Sequence, residues 1–332
     1  MRIQRIAATV ILFSLTASTG CQSSAIAPAP DRTYASRSSI SPNLGHGFMY
    51  VSQPQNNEIL IFPKTGNGNI APSATIMGPQ TGLDQPADVY VSKSGKIYVT
   101  DLITNAVTVY PKGSTGNQAP IQTIVGNNTG LSHPLGVALD SAGNIYVANY
   151  NLNSIVVFAG NANGNVLPLR TISGAATNLH HPVGVALNSS DELLVASRKS
   201  NSLSVFASGV SGNTPPLATI IGPATKLLQP QGATFDSAGH IFATSSAGNS
   251  IVEFKSNANH NAIPIRSIFG TNTGLDIPIG IFVDPAGTIF IANFHSNAIT
   301  TYAAGANGNV APTTTIAGSS TMLSFPAGLS IF

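Results

Sequence analysis

Tryptophan is absent from the 332 residues, and cysteine occurs once, at position 21. A single cysteine cannot close an internal disulfide, and it excludes a Cys-rich zinc site. Charge is also scarce. Asp, Glu, Lys and Arg make up 8% of the chain, against about a quarter in an ordinary globular protein. The formal charge of +2 owes its sign to Arg2 and Arg5; beyond position 20, twelve basic residues face twelve acidic ones. A neutral chain has no electrostatic reason to bind nucleic acid or an anionic membrane face. Phosphate-loop, HExxH and nucleophile-elbow patterns are missing as well. Strings such as Gly66-Asn67-Gly68 precede no helical pattern and so are not dinucleotide sites.

What the chain has in quantity is Gly (32) and Pro (22), and both fall on a rhythm. Prolines stand at Pro86, Pro134, Pro182, Pro230, Pro278 and Pro326, each 48 after the last. Asn57, Asn105, Asn153, Asn201, Asn249 and Asn297 keep the same step. So do the glycines from Gly78 to Gly318 and the aromatics Phe62, Tyr110, Phe158, Phe206, Phe254 and Tyr302. A fixed period of this size marks a repeat architecture. Each unit holds four short runs rich in β-branched or aromatic residues, bounded by turn residues, which read as strands. In one unit they are 136–139 (GVAL), 144–148 (NIYVA), 154–158 (SIVVF) and 169–172 (LRTI). Asn153 tops a turn, where Asn bonds nearby backbone or enters the left-handed region. Pro168 precedes the fourth run and is tolerable there if that strand is an edge.

Four antiparallel strands per unit, six times over, predict an all-β, six-bladed β-propeller at 45–332. A helical solenoid would need a 3.6-residue period, which is not seen, and a β-sandwich has no reason to keep a 48-residue one. The ends fit a closed ring. Residues 48–52 (FMYVS) match the second strand of other units, and residues 326–332 (PAGLSIF) match only the first. The C-terminal strand therefore pairs into the N-terminal blade. A monomeric propeller is the expectation.

Before the ring, 1–20 reads as a signal peptide. Its basic start leads into an apolar run, 6–16 (IAATVILFSLT), too short for a bilayer, which needs about 20 residues. Thr19-Gly20-Cys21 resembles the lipobox of bacterial lipoproteins, in which the cysteine is lipidated. Ser18 stands where Leu is usual. The competing small-residue site, Ala25-Ile26-Ala27, is followed by Pro28. The resemblance implies a lipid anchor on Cys21, and Gln22 in place of Asp implies sorting to an outer membrane. Export to a bacterial cell envelope follows, lipid-anchored at the outer membrane or facing the periplasm, with secretion as the alternative if Cys21 is bare. Residues 21–44, rich in Ser, Ala and Pro, read as a flexible tether.

Residues 134–149 (PLGVALDSAGNIYVAN) with Asn153 and 154–158 resemble NHL repeats, and the likeness extends over 45–332. It implies a propeller whose relatives include protein-binding modules, RNA binders, and lyases or lactone hydrolases of similar shape. The Trp-containing strand motif of streptogramin-lyase propellers is not in this chain.

The turns after the second strands and the connections between blades emerge on one end of such a ring, which is the expected ligand face. Candidates there are the residues where the units differ. Asp88 replaces a glycine that other units carry at Gly136, Gly184, Gly232, Gly280 and Gly328. Asp101, Asn149 and Asn293 end second strands, His133 and His181 precede blade prolines, and Arg198 and His295 lie in turns. Asp88, Asp101, His133 and His181 together are a candidate set for a divalent metal or acid–base chemistry. Histidine is not enriched on this end, however: four of seven (His133, His180, His181, His295) fall there. The leading expectation is a non-enzymatic scaffold binding a protein or carbohydrate partner at the channel face, needing no cofactor. The alternative is a metal-dependent lyase or lactonase at the channel mouth, and a third reading is a structural surface protein. The Cys21→Ala variant should leave the membrane fraction for the soluble one; unchanged membrane retention contradicts the anchor.

Overall fold

The computed structural model describes Leu44 and residues 46–332. The expected leader, Cys21 and nearly all of the tether lie outside the described residues. Among the described residues there are six four-stranded antiparallel sheets and no α-helix. No helix among them is long and apolar enough to cross a membrane.

Each sheet is a blade, and in blades 2 to 6 the strands run outward in chain order, while in blade 1 the C-terminal strand is innermost. Blade 3 is Pro134–Leu139, Ile145–Asn149, Ser154–Phe158 and Arg170–Ile172, and blade 4 is Pro182–Leu187, Leu193–Ser197, Ser202–Phe206 and Ala218–Ile221. The inner strands of successive blades contact one another around the whole ring. They line a central channel of about 240 Å³. In blades 2 to 6 the inner strand starts at the proline itself, two residues earlier than the apolar run. The residue before each proline explains this: Gln85, His133, His181, Gln229, Ile277 and Phe325 all have φ between 48° and 60°. That left-handed step turns the chain sharply into the new blade.

Blade 1 closes as expected. Leu329–Ile331 is its inner strand, with Met49 opposite Ile331 and Val51 opposite Leu329. Two flanking bonds extend the ladder, Phe332 N–H to the Phe48 carbonyl at 2.9 Å and Ala327 N–H to the Ser52 carbonyl at 3.0 Å.

Apolar packing fills the spaces between blades. The six aromatics of the repeat are completely buried, each packed among residues of the preceding blade. Phe158, for example, sits with Tyr98, Val107 and Val109. Truncating such a residue costs about 3–5 kcal/mol.

Two sets of asparagines stitch the units together. The Asn57 series accepts, through Oδ1, the N–H of the left-handed residue that opens the next blade, at 2.7–2.8 Å in all six places. Asn153 thus has the expected left-handed backbone, φ 49°, but its side chain serves the next unit rather than its own turn. The second set is Asn69, Asn117, Asn165, Asn213, Asn261 and Asn309. Each reaches back to a backbone N–H of the preceding unit, again at 2.7–2.8 Å. This second lock accounts for the glycine series. Gly126 has φ 123°, and a Cβ there would overlap the Asn165 side chain.

The outer strands are covered too. In blade 4, Ile221 N–H donates to the His260 carbonyl at 2.9 Å, and His260 N–H donates to the Thr219 carbonyl at 2.7 Å. A loop of the following blade thereby takes up hydrogen-bonding groups that would otherwise template aggregation.

Removing residues 326–332 should lower Tm by about 10 °C or more, the scale of several kcal/mol in a large domain. An unchanged Tm would show that the ring does not need its last strand.

Candidate functional site

The turns after second strands and the inter-blade connections share one end of the ring, where backbone bonds zip them together. Tyr150 N–H donates to the His133 carbonyl at 3.2 Å, and Arg198 N–H to the His181 carbonyl at 3.1 Å.

Asp101, Asn149 and Asn293 are on this end but face inward, each with 0% exposure. They belong to a series, Gln53, Asp101, Asn149, Ser197, Ser245 and Asn293, and each member accepts a backbone N–H from its inter-blade connection. Asp101 accepts from Asp84 N–H at 3.1 Å, Asn149 from Ser132 N–H at 2.6 Å, and Asn293 from Asp276 N–H at 3.1 Å. The second oxygen of Asp101 accepts from the Thr108 hydroxyl at 3.1 Å. In the matching place of blade 6, the Asn293 amide donates to the Thr300 hydroxyl at 2.8 Å. These side chains hold connections in place and are not open to a ligand.

Asp88 is different. It is the one carboxylate lining the channel, whose other lining residues are Val, Ala, Leu, Ile, Phe, Tyr, Gly, Ser and Thr. Its Oδ1 accepts from Val89 N–H at 2.9 Å and its Oδ2 from Val137 N–H at 3.1 Å. At the ring glycines a side chain has no room; a Cβ on Gly136 would overlap the Val183 carbonyl. The carboxyl of Asp88 is partly exposed, but only to a narrow channel mostly walled by apolar groups. Burial therefore pushes its pKa up to about 7, against the two backbone bonds that lower it. Burial pushes Asp101 further, to about 8.

His133 and His181 occupy the left-handed position before the blade proline. The His133 ring lies 2.6 Å from the Asn151 amide, and His181 stacks on Tyr150 with ring centroids 4.4 Å apart. Burial holds both imidazoles below the usual histidine value. For His181, the nearby charges of Lys199, Arg198 and His180 act in the same direction. Arg198 donates to the Gln229 side chain at 3.0 Å. His295 pairs with Asp276 at 3.0 Å on the exposed surface of the turn.

The suggested metal set is therefore not assembled. Asp101 is turned into blade 2, Asp88 into the channel, and the two histidines occupy equivalent places in adjacent blades. Among the described residues the cluster with metal-compatible spacing is Asp236, His240 and Glu253, at the opposite end of the ring. His240 Nδ1 is 3.1 Å from Asp236 and 3.6 Å from Glu253. Both oxygens of Glu253 accept from the Arg266 guanidinium at 2.5 Å. Asp236 uses its Oδ1 on the N–H groups of Ala238 and His240. The group is a hydrogen-bonded network in which both Glu253 oxygens are already engaged by Arg266. One sequence signal was available: Glu253 is the only acid at a position where other units have Ile61, Val109, Val157, Val205 and Thr301.

Against this geometry, known proteins compare as follows. Residues 131–158 match the NHL repeat model. No curated protein sequence matches the chain. Among solved structures, a catalytically inactive virginiamycin B lyase from Staphylococcus aureus, with quinupristin, is 16% identical over 77% of both chains, TM-score 0.54. A streptogramin B lyase is 16% identical over 86% of this chain and 83% of its own, TM-score 0.58. A chain of the nidogen/laminin complex is 14% identical over 86% of this chain and 97% of its own, TM-score 0.61. The protein is thus a six-bladed β-propeller in which residues 131–158 are similar to an NHL repeat. At these identities the structural likenesses establish the fold and nothing further.

A carboxyl with a raised folded pKa stabilises the fold while protonated. That contribution is complete below the unfolded value of 3.8 and fades as pH rises through about 7 for Asp88 and about 8 for Asp101. The ring should therefore lose stability across that window. Asp101→Asn copies the Asn293–Thr300 arrangement without a charge, so it should raise Tm above pH 8 and flatten the upper part of the decline. A lower Tm at all pH values would contradict a protonated, structural Asp101.

Proposed function

We infer that this protein is an exported, envelope-anchored binding scaffold that presents the turn-and-connection end of its ring to a macromolecular partner. The observation carrying this reading is where the polar groups of that end sit. Asp101, Asn149 and Asn293 are spent inside the blades on backbone N–H groups. What remains exposed lies on short turns of equal length in every unit. Enclosed small-molecule sites bury most of their ligand in a cleft; a broad face of short loops suits a large partner instead. The likeness to a chain of the nidogen/laminin complex supports the use of this fold in holding a protein.

One observation favours the alternative, a lyase- or lactonase-like activity at the channel. The Asp88 carboxyl is pushed up to about 7, within the range where a general acid or base works at neutral pH, and streptogramin B lyase shares the fold.

Two measurements on the full chain separate the readings. A photo-crosslinker at exposed Asn151, on the proposed face, should give discrete adducts in the native envelope, while one at exposed Lys93, on the opposite end, should not. Thermal melts with divalent ions should show no ion-dependent stabilisation. Equal adducts from both ends contradict the face assignment. A stoichiometric metal that is lost in Asp88→Asn would overturn the scaffold reading in favour of chemistry at the channel.

A further inference from the structure

We propose that blade 4 carries a docking groove for an extended acidic peptide, held by His180 and Lys199 at its upper end and by Leu217 and Ile221 along its wall. This deepens the scaffold reading by naming a subsite and the chemistry of its partner.

The first observation is a break in the repeat. Where an inter-blade connection zips to the next turn, blade 4 places His180 and His181 against Arg198 and Lys199. Lys199 N–H bonds the His180 carbonyl at 3.3 Å, and Arg198 N–H bonds the His181 carbonyl at 3.1 Å. Four basic or imidazole side chains thus leave a single short ladder. The matching positions of blade 2 hold Asp84 and Gln85 against Leu102 and Ile103; those of blade 6 hold Asp276 and Ile277 against Phe294 and His295. Beyond residue 20 the chain as a whole is charge-balanced, and this corner sets Arg198 and Lys199 side by side, a local excess of positive charge. Such an excess steers and orients an acidic partner.

The second observation is independent of charge. A groove of about 470 Å³ runs along the outer strand of the same blade, Ala218–Ile221, and its lining includes His180 and Ser200, the neighbour of Lys199. Its wall is apolar and open to solvent: Leu217 is 59% and Ile221 43% exposed. From Leu217 to Ile221 a strand spans about 13 Å, the reach of four extended residues. No lining residue of the groove is acidic.

The chemistry of the occupant follows from what the groove cannot do. Strand addition is blocked, because Thr219 N–H already bonds the Asn259 side chain at 2.9 Å, and Ile221 N–H and the Thr219 carbonyl are taken by His260. Recognition must act through side chains. A glycan held by ring stacking would need an aromatic platform, and Tyr150, the aromatic at this corner, is stacked under His181 and only 7% exposed. A peptide with acidic residues at one end and alternating apolar residues at the other matches both halves of the site.

The test uses the full chain and two fluorescent heptapeptides, Glu-Glu-Glu-Ser-Leu-Ser-Leu and the same peptide with three lysines replacing the glutamates. The acidic peptide should bind and the basic one should not. Binding should weaken with ionic strength. Lys199→Glu and Leu217→Ser, both at exposed side chains, should keep Tm and each weaken binding about tenfold, a change of about 1.4 kcal/mol. The proposal is overturned if the acidic peptide does not bind at millimolar concentration, if the lysine peptide binds equally, or if neither variant matters. Binding of dextran sulfate without binding of the peptide also overturns it and assigns the corner to an anionic glycan. Asn151 adducts that persist in Lys199→Glu, with no peptide binding, would remove the groove and leave the wider face assignment standing.

Discussion

The ring depends on a hydrogen bond that leaves its own repeat. An asparagine carbonyl oxygen in one unit accepts the N–H of a left-handed residue in the next, six times around. A second asparagine reaches back to the preceding unit. Both sites need a backbone that few residues adopt: the pre-proline step at φ near 50°, and the glycine step near 120°. An N–H left without its partner in such a joint costs about 1–3 kcal/mol. Proline, glycine and asparagine therefore keep their places because they are three parts of one joint.

Much of this was legible in the sequence. The 48-residue step in Pro86, Gly78 and Asn57 gave the unit, and the mismatched ends gave the closure. The direction of the asparagine bonds was not legible. Asn153 reads as a residue serving its own turn, and nothing in one unit's sequence says that its acceptor faces the next unit. Only packing two units side by side reveals the pair.

The candidate site was misleading for the same reason. Asp101 stands out as an acid, and Asn149 and Asn293 as strand-end polar groups. Set against Gln53, Ser197 and Ser245, they are one series whose shared property is accepting a backbone N–H. A position filled by an acceptor in all six units signals a shared structural task. Asp88 and the His180–Lys199 corner lack counterparts in the other units, and they are where the structure departs from its own symmetry. Function in a repeat protein is readable where one unit does what its siblings do not, as at the basic end of the blade 4 groove.

If the inter-unit joints make the ring one cooperative body, opening any joint should loosen every blade. Hydrogen exchange measured by mass spectrometry on the intact ring and on Asn165→Ala tests this most directly. The slowest amides of all six blades should exchange with one common unfolding free energy and accelerate together in the variant. Acceleration confined to blades 2 and 3, with blades 5 and 6 unchanged, would show that the blades are held separately and that the asparagine joints do not govern the ring.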